Sequence, residues 1–250
     1  MRHSLFRINP PVIAHRGASG IAPENTLIAF TKAAQMGIKW IEFDVMLASD
    51  DTPIVFHDET LRRTTGEKGK VITYPYAYLS TLDAGAWFSP KYAGERIPSL
   101  EQVMEWLKMN NMCANIEIKS NPGQESLTVE RAFPIINHYF PQPNPSILFS
   151  SFDLESLRAL RRLMPACHLG FLMHQWQENW RELCAELECV TVNAHHEIMT
   201  DTRARDIILN GQQIYCYTVN SINRANELFA MGVNGVFSDV PDKILAVVAN

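Results

Sequence analysis

Carboxylate side chains share one face of each of two predicted strands. In the run WIEFDVML, Glu42 and Asp44 are two residues apart, so both side chains point to the same face. In the run CANIEIK, Glu117 and Lys119 have the same spacing. Three carboxylates that meet at one place repel one another unless a cation lies between them, and Mg²⁺ or Ca²⁺ suits such oxygen ligands. The spacing therefore indicates a divalent-cation site, and Mn²⁺ is also compatible with it.

Two histidines and an arginine lie where other predicted strands end. The run VIAH ends on His15, Arg16 follows it, and the run PIVFH ends on His57. An imidazole titrates near neutral pH, so a pair of histidines is suited to general acid–base catalysis. Arg16 and Lys119 supply the positive charge that a phosphate group needs. These residue types together predict a metal-assisted reaction at a phosphate.

Each of these features also has an ordinary structural explanation. A histidine at the end of a strand is more often structural than catalytic, and Glu42 with Asp44 could form a solvated strand face. Glu117 and Lys119 could form an ion pair, which contributes little to stability at a surface. The occurrence of all these residues at strand ends favours a single reaction site over separate structural roles.

Nine apolar runs with strand character alternate with helical patterns along the chain. They are VIAH (12–15), WIEFDVML (40–47), PIVFH (53–57), CANIEIK (113–119), SILFSS (146–151), HLGFLM (168–173), CVTVNA (189–194), QIYCYTV (213–219) and GVFSD (235–239). In the second half, strands begin about every 21–24 residues, which is the length of one βα unit. Repeated βα units favour a parallel sheet or a closed TIM (β/α)8 barrel, whose active site lies where the carboxyl ends of the strands meet.

The second and third strands are too close in sequence for a crossover helix. Only ASDDT separates them, so they should form an antiparallel hairpin, which leaves eight strands for the barrel. With a turn near Asp50 and Asp51, we expect Asp44 to lie opposite His57. The irregular stretch 58–98 follows the hairpin, and its length is typical either of a lid or of a loop packed on the barrel rim.

Four helix starts are readable from capping residues. Asn25 or Thr26 can cap a helix that stops at Gly37, and Ser99 begins the capping box SLEQ. Asp153 and Ser221 precede two further helical patterns.

The composition is that of one globular domain spanning residues 1–250. A net charge of −5 without a basic cluster argues against a nucleic-acid partner. Residues 1–10 lack the apolar core of a signal peptide, and apolar runs are shorter than the roughly 18 residues that a membrane span needs. Five cysteines without metal-type spacing suggest a reducing compartment, so we expect a cytoplasmic protein. Nothing in the sequence indicates the oligomeric state.

Ordered motifs over nearly the whole chain resemble the glycerophosphodiester phosphodiesterase family. They are HRG, PENT, IEFDV, HDETLRRTTG, DAGAWF, IEIKS, SSFD, YTVN and GVNGVFSD. The combination of HRG and PENT with IEFDV and HD is the most specific part. The length and the absence of a signal peptide are most similar to the cytoplasmic bacterial branch.

The resemblance implies a distorted TIM barrel of the phospholipase C-like phosphodiesterase type, with a small insertion after the HD motif. It implies a divalent metal held by Glu42, Asp44 and Glu117, with His15 and His57 as the acid–base pair. It also implies a glycerophosphodiester as small-molecule substrate, cleaved to sn-glycerol 3-phosphate and an alcohol through a cyclic phosphate.

One residue departs from the family pattern. The family commonly has tryptophan before TVN, whereas this chain has Tyr217. If this ring contacts the substrate, the smaller phenol could change the preferred alcohol. His195 and His196 also lie at a strand end, and because adjacent strand residues point to opposite faces, they cannot both be ligands of one ion there. Either could line the mouth, but a structural role at the rim is favoured.

Other functions stay open at this point. A related phosphodiesterase could act on lysophospholipids in the manner of a phospholipase D, with the aromatic residues of 74–92 as the only candidates for an apolar groove. A non-catalytic phosphate-binding barrel is a further alternative, although every proposed catalytic and metal position is present. A barrel enzyme of sugar or amino-acid biosynthesis would need a glycine-rich phosphate loop, which GVNGVF resembles only weakly.

Overall fold

Strands and helices alternate through residues 6–248, the part of the chain that the computed structural model describes. The strands are β1 (Val12–Ala14), β2 (Trp40–Leu47), β3 (Pro53–Val55), β4 (Cys113–Ile118), β5 (Ile147–Ser151), β6 (His168–Met173), β7 (Thr191–His195), β8 (Gln213–Tyr217) and β9 (Gly235–Ser238). The helices are α1 (Leu27–Gln35), α2 (Arg62–Thr65), α3 (Tyr76–Leu79), α4 (Leu100–Met109), α5 (Glu125–Tyr139), α6 (Leu154–Leu163), α7 (Trp180–Glu186), α8 (Asp201–Leu209), α9 (Ile222–Ala230) and α10 (Pro241–Val248).

Eight parallel strands close into a barrel. The hydrogen-bonded order is β1-β9-β8-β7-β6-β5-β4-β2-β3, and a further pairing of β1 with β2 closes the sheet. Among the strands of residues 6–248, only β3 is antiparallel; it pairs with β2 and makes one further bridge, from Ile54 to Ser99. The predicted TIM barrel and the predicted hairpin are therefore both confirmed. The closed sheet brings the carboxyl ends of all eight strands to one mouth.

The register of the hairpin differs from the prediction by one residue. The turn closes with the Ala48 N–H donating to the Thr52 carbonyl oxygen at 3.0 Å. Phe56, whose N–H donates to the Asp44 carbonyl oxygen at 3.0 Å, is therefore the residue opposite Asp44. The predicted pairing of Asp44 with His57 is wrong, because the turn is centred on Asp50 rather than between Asp50 and Asp51. His57 lies two residues beyond the end of β3.

The predicted helix starts are confirmed by side-chain caps. The Thr26 hydroxyl accepts from the Ala29 N–H at the start of α1, which decides between Asn25 and Thr26. Ser99 and Gln102 form the reciprocal capping box of α4. The side chains of Asp153 and Ser221 each accept a hydrogen bond from an N–H in the first turn of α6 and α9. These caps satisfy N–H groups that would otherwise lack a partner in the first helical turn.

Residues 58–98 pack against the hairpin through a small apolar core of their own. Leu61, Val71 and Leu79 are fully buried there, against Met46 and Ile54 of the hairpin. The segment contains α2, α3 and two short 3₁₀ turns. Its role as a lid stays a prediction.

The amino ends of the strands are closed by the start of the described chain. Phe6 is buried against the rings of Trp40 and His168, with centroid distances of 5.7 and 4.8 Å. The Ile8 N–H donates to the Tyr215 hydroxyl at 3.3 Å. The expected absence of a signal peptide rests partly on residues 1–5, which lie outside the described residues. Within residues 6–248, no helix has both the length and the apolar character needed to cross a membrane.

Candidate active site

Three carboxylates meet at the carboxyl ends of neighbouring strands. Glu42 and Asp44 both lie on β2, and Asp44 is in register with Glu117 of β4. One oxygen from each of the three lies within 4.8 Å of the others. Glu42 and Asp44 are only 3% and 1% exposed, so water screens the repulsion between their charges only weakly. The three carboxylates thus form one compact acidic cluster, as their spacing in the sequence predicted.

The electrostatics of this cluster fit a divalent cation. Burial, together with the neighbouring carboxylates, raises the pKa of Glu42 and raises the pKa of Glu117 to about 8. Burial alone would also raise the pKa of Asp44, but the charge of Arg16 brings it below its ordinary value. Carboxylates that hold protons this strongly gain most from a bound cation, and an all-oxygen donor set suits Mg²⁺, Ca²⁺ or Mn²⁺.

Arg16 is fixed beside the acidic cluster by three contacts. Its backbone N–H donates to Glu42 Oε2 at 2.8 Å, and its Nη1 donates to Glu24 Oε1 at 2.8 Å. Its Nε lies 3.5 Å from Asp44 Oδ2, and Asn25 Nδ2 donates to that same oxygen at 2.8 Å. The guanidinium therefore lies at the cavity wall with its remaining donors available to an anion.

His15 is oriented by a carboxylate on β9's carboxyl side. Its Nδ1 lies 2.7 Å from Asp239 Oδ1, and the Ser19 hydroxyl donates to the same oxygen at 2.8 Å. Asn220 Nδ2 donates to Asp239 Oδ2 at 2.7 Å. Burial raises the pKa of Asp239, but the hydrogen bonds from His15, Asn220 and Ser19 outweigh it and lower the pKa to about 2. The ionised carboxylate fixes the ring through Nδ1 and leaves Nε2 for the cavity.

His57 has an equivalent arrangement. Its Nδ1 lies 2.6 Å from Asp58 Oδ1, and its Nε2 contacts Lys119 Nζ. Burial lowers the pKa of His57, although the nearby Asp44 charge opposes this shift. Arg63 donates to both oxygens of Asp58, at 2.7 and 2.9 Å. Both histidines therefore use Nδ1 for a carboxylate and direct Nε2 elsewhere.

A cavity of about 400 Å³ joins these groups. Its wall includes seven of the eight predicted site residues, namely His15, Arg16, Glu42, His57, Glu117, Lys119 and Tyr217, while the eighth, Asp44, belongs to the acidic cluster. Phe152, His174 and His195 line the same cavity. The lining thus combines charged side chains with aromatic ones.

Comparison with known proteins of similar sequence and fold shows the family to which the chain belongs. A family model described as the glycerophosphoryl diester phosphodiesterase family matches residues 15–243. The chain belongs to this family. It is accordingly a phosphoric diester hydrolase with glycerophosphodiester phosphodiesterase activity.

Individual glycerophosphodiester phosphodiesterases align over almost their whole length. One from Caldanaerobacter subterraneus is 33% identical, covering 95% of this chain and 97% of its own length. One from Bacillus altitudinis is also 33% identical, with coverage of 94% and 97%. A solved phosphodiesterase of Oleispira antarctica, in complex with the product sn-glycerol-3-phosphate, has a TM-score of 0.94 and 36% identity, and covers 100% of this chain and 99% of its own.

Several residues that contact the site residues were not assigned a role in the site from the sequence. Glu24 and Asn25 lie in the PENT motif, Asp58 in HD, Asp239 in FSD and Phe152 in SSFD. Each motif carried the family resemblance, but sequence spacing did not show which side chain it would contact. The contact of Asp239 depends on the closed barrel, because Asp239 and His15 are 224 positions apart in the sequence. Asp58 contacts its sequence neighbours His57 and Arg63.

The expected alternation of His195 and His196 is wrong, whereas the possibility that one of them lines the mouth is met by His195. His195 lines the cavity, and its ring lies 4.7 Å from His174 and 5.7 Å from Tyr217. The rings of His195 and His196 are stacked at 4.9 Å rather than on opposite faces. The rule of strand alternation does not apply here, because β7 ends at His195 and a 3₁₀ turn begins at His196.

Proposed function

We propose that the protein hydrolyses glycerophosphodiesters to sn-glycerol 3-phosphate and an alcohol in a reaction that depends on a divalent cation. One observation carries the proposal: a largely buried cluster of three carboxylates borders the same cavity as two histidines, each held by an aspartate. The Oleispira antarctica protein, with 36% identity and its product bound, supports glycerol 3-phosphate as the product here. The substrate is thus a small molecule.

Glu42, Asp44 and Glu117 would hold the cation. When bound, the cation supplies positive charge that neutralises the phosphoryl oxygens of the substrate. Arg16 and Lys119 add two further cationic groups at the same wall and bind the remaining phosphoryl oxygens. Carboxylate ligands of this kind accept Mg²⁺, Ca²⁺ and Mn²⁺ alike, so all three are tested below.

The two histidines exchange protons with the substrate. With its Nδ1 proton donated to Asp239, His15 has an unprotonated Nε2 that takes the proton of the glycerol 2-hydroxyl. That oxygen attacks phosphorus, the bond from phosphorus to the alcohol breaks, and His57 gives a proton to the leaving alkoxide. Water then opens the cyclic phosphate with the two roles reversed. An intramolecular nucleophile lowers the entropic part of the barrier.

Tyr217 is proposed to contact the organic part of the substrate. Its ring packs edge-on against Phe152 at 5.9 Å, and Phe152 is 51% exposed at the cavity. The Tyr217 hydroxyl is buried and has no hydrogen-bond partner among residues 6–248. A substrate hydroxyl or ester oxygen would satisfy this group.

The proposal also covers the domain organisation, the segment 58–98 and the cellular location. We propose that residues 1–250 act as a single domain and that residues 58–98 cover the substrate as a lid. We also propose a cytoplasmic location, which suits the five free thiols of the chain.

The proposal is tested by product analysis. Glycerophosphocholine and glycerophosphoethanolamine are incubated with the protein, with and without EDTA, and then with Mg²⁺, Ca²⁺ or Mn²⁺ restored. We expect release of glycerol 3-phosphate to stop under chelation and to return with a divalent cation. The variants H15A and H57A should each lower kcat by on the order of 100-fold or more, with H138A, an exposed histidine on α5, as the control. Equal release under chelation, or near-normal kcat in both histidine variants, would contradict the proposal.

A further inference from the structure

The guanidinium of Arg63 binds two carboxylates at once. Its Nη1 and Nη2 donate to Glu24 at 2.6 and 2.8 Å, and its Nε and Nη2 donate to Asp58 at 2.7 and 2.9 Å. Arg63 belongs to α2, in the segment 58–98, whereas Glu24 follows β1. One side chain of the inserted segment therefore connects two separate parts of the barrel mouth.

Each of these carboxylates also holds a group of the proposed active site. Asp58 Oδ1 lies 2.6 Å from His57 Nδ1, so it fixes the plane and the tautomer of that imidazole. Glu24 Oε1 accepts from Arg16 Nη1 at 2.8 Å, which fixes the guanidinium beside the acidic cluster. Arg63 donates its hydrogen bonds to Asp58 and Glu24 rather than to His57 or Arg16, so it contacts the partner of each site residue.

We propose that Arg63 is a positioning residue, which holds His57 through Asp58 and Arg16 through Glu24. The proposal rests on the function proposed above, and it makes the segment 58–98 part of the catalytic apparatus rather than only a cover. The bidentate fork of arginine suits two carboxylates that lie on either side of it, and lysine cannot reproduce this geometry. A loss of Arg63 leaves Asp58 and Glu24 free to rotate with the groups they hold.

Turnover and the state of His57 separate this role from a purely structural one. The Arg63 side chain is 42% exposed, and its guanidinium lies 5.9 Å from the ring centroid of Trp87. Its carboxylate partners are only 11% and 23% exposed and are paired in a network, so the loss of Arg63 should also lower the thermal midpoint of unfolding. We therefore expect the positioning role to appear in kcat and in the state of His57, both measured well below the midpoint of each variant.

The test compares R63M with R62M. Arg62 is the neighbouring exposed arginine of α2, and its side chain has no hydrogen bond or ion pair with any described residue. We expect R63M to lower kcat for glycerophosphocholine by on the order of 10- to 100-fold, since displacement of a reacting group by about 1 Å has an effect of this size. R62M should retain normal kcat. R63K should resemble R63M, because it keeps the charge and loses the fork.

Two further measurements show whether Arg63 acts through Asp58. First, R63M should lower kcat by a smaller factor in the D58N background than in the wild type, because the part of its effect that passes through Asp58 is already lost and only the part through Glu24 remains. Second, proton NMR should resolve the Nδ1 proton of His57, assigned by its absence in H57A. This resonance should be unchanged in R62M, and it should shift or broaden in R63M.

The outcomes separate the inference from the proposed function. The inference is overturned if R63M has the kcat of R62M, if the losses in R63M/D58N multiply, or if the His57 resonance is the same in R63M and the wild type. If R63M folds poorly, R63K provides the same comparison. A further outcome is that the wild type releases no glycerol 3-phosphate while the His57 resonance shifts in R63M and not in R62M. In that case the proposed function fails and the positioning role of Arg63 stands.

Discussion

At the scale of single residues, the two cavity histidines share one design. Each uses Nδ1 for a carboxylate, Asp239 for His15 and Asp58 for His57, and each carboxylate is itself held by further donors. This arrangement fixes the tautomer in which Nε2 can accept a proton. The sequence indicated the histidines by their place at strand ends, but not their carboxylate partners. The contact of His15 with Asp239 follows from the closure of the barrel. Asp58 is adjacent to His57 in the sequence, but adjacency alone does not show that its side chain contacts the ring.

Asp239 makes stability depend on pH in a defined window. Its pKa in the folded protein is about 2, below its ordinary value of 3.8. A lowered pKa means that the carboxylate stabilises the fold above about pH 4, and that this stabilisation is lost as the pH falls towards 2. We expect D239N to remove this part of the acid sensitivity. Urea unfolding of the wild type and of D239N between pH 2 and pH 6 provides the check, and parallel curves for the two proteins would contradict the assignment.

At the scale of secondary-structure elements, the sequence predicted most of the strands to within one or two residues. Short apolar runs with strand character were sufficient for β2 and β6, whose bounds agree with the prediction. The register of the hairpin was missed, since one hydrogen bond between Ala48 and Thr52 decides where the turn closes. The orientation of His196 was missed because a strand and a 3₁₀ turn meet at that point. Both errors lie at junctions, where periodicity carries no information.

The capping box of α4 gives a prediction at this scale. The Ser99 hydroxyl accepts from the Gln102 N–H, and the Gln102 side chain accepts from the Ser99 N–H. We expect S99A to lower the free energy of unfolding by about 1 kcal/mol, because one N–H of the first turn loses its partner. S99T retains the hydroxyl and should stay close to the wild type. Urea denaturation measures the difference, and equal losses in S99A and S99T would show that the cap contributes nothing specific.

At the scale of the whole molecule, the barrel has two different ends. The carboxyl ends of the strands form the polar cavity, whereas Phe6, Ile8 and Tyr215 belong to an apolar cluster that closes the amino ends. The sequence predicted the mouth because its residues carry chemistry. It did not predict the apolar closure, since Phe6 stands in a short segment without strand or helix periodicity. Stability and chemistry are thus assigned to opposite ends of one barrel.

This division predicts that stability can change without a change in the reaction. Phe6 is 1% exposed, so F6A should leave a cavity and lower the free energy of unfolding by about 3–5 kcal/mol. The change lies at the far end from the active site, so kcat should stay within about twofold wherever the variant is folded. R7A, at the exposed neighbouring residue, is the control and should change stability by less than about 0.5 kcal/mol. A large loss of kcat in folded F6A would show that the two ends are coupled.

The central claim is that Glu42, Asp44 and Glu117 hold one divalent cation. Isothermal titration calorimetry of the chelator-treated protein with Mn²⁺ or Mg²⁺ measures this directly and needs no substrate. The account predicts one cation bound by each wild-type chain and none by the folded variant E42Q/D44N/E117Q, in which the carboxylates become neutral amides of similar size. Equal cation binding by the wild type and this variant would contradict it.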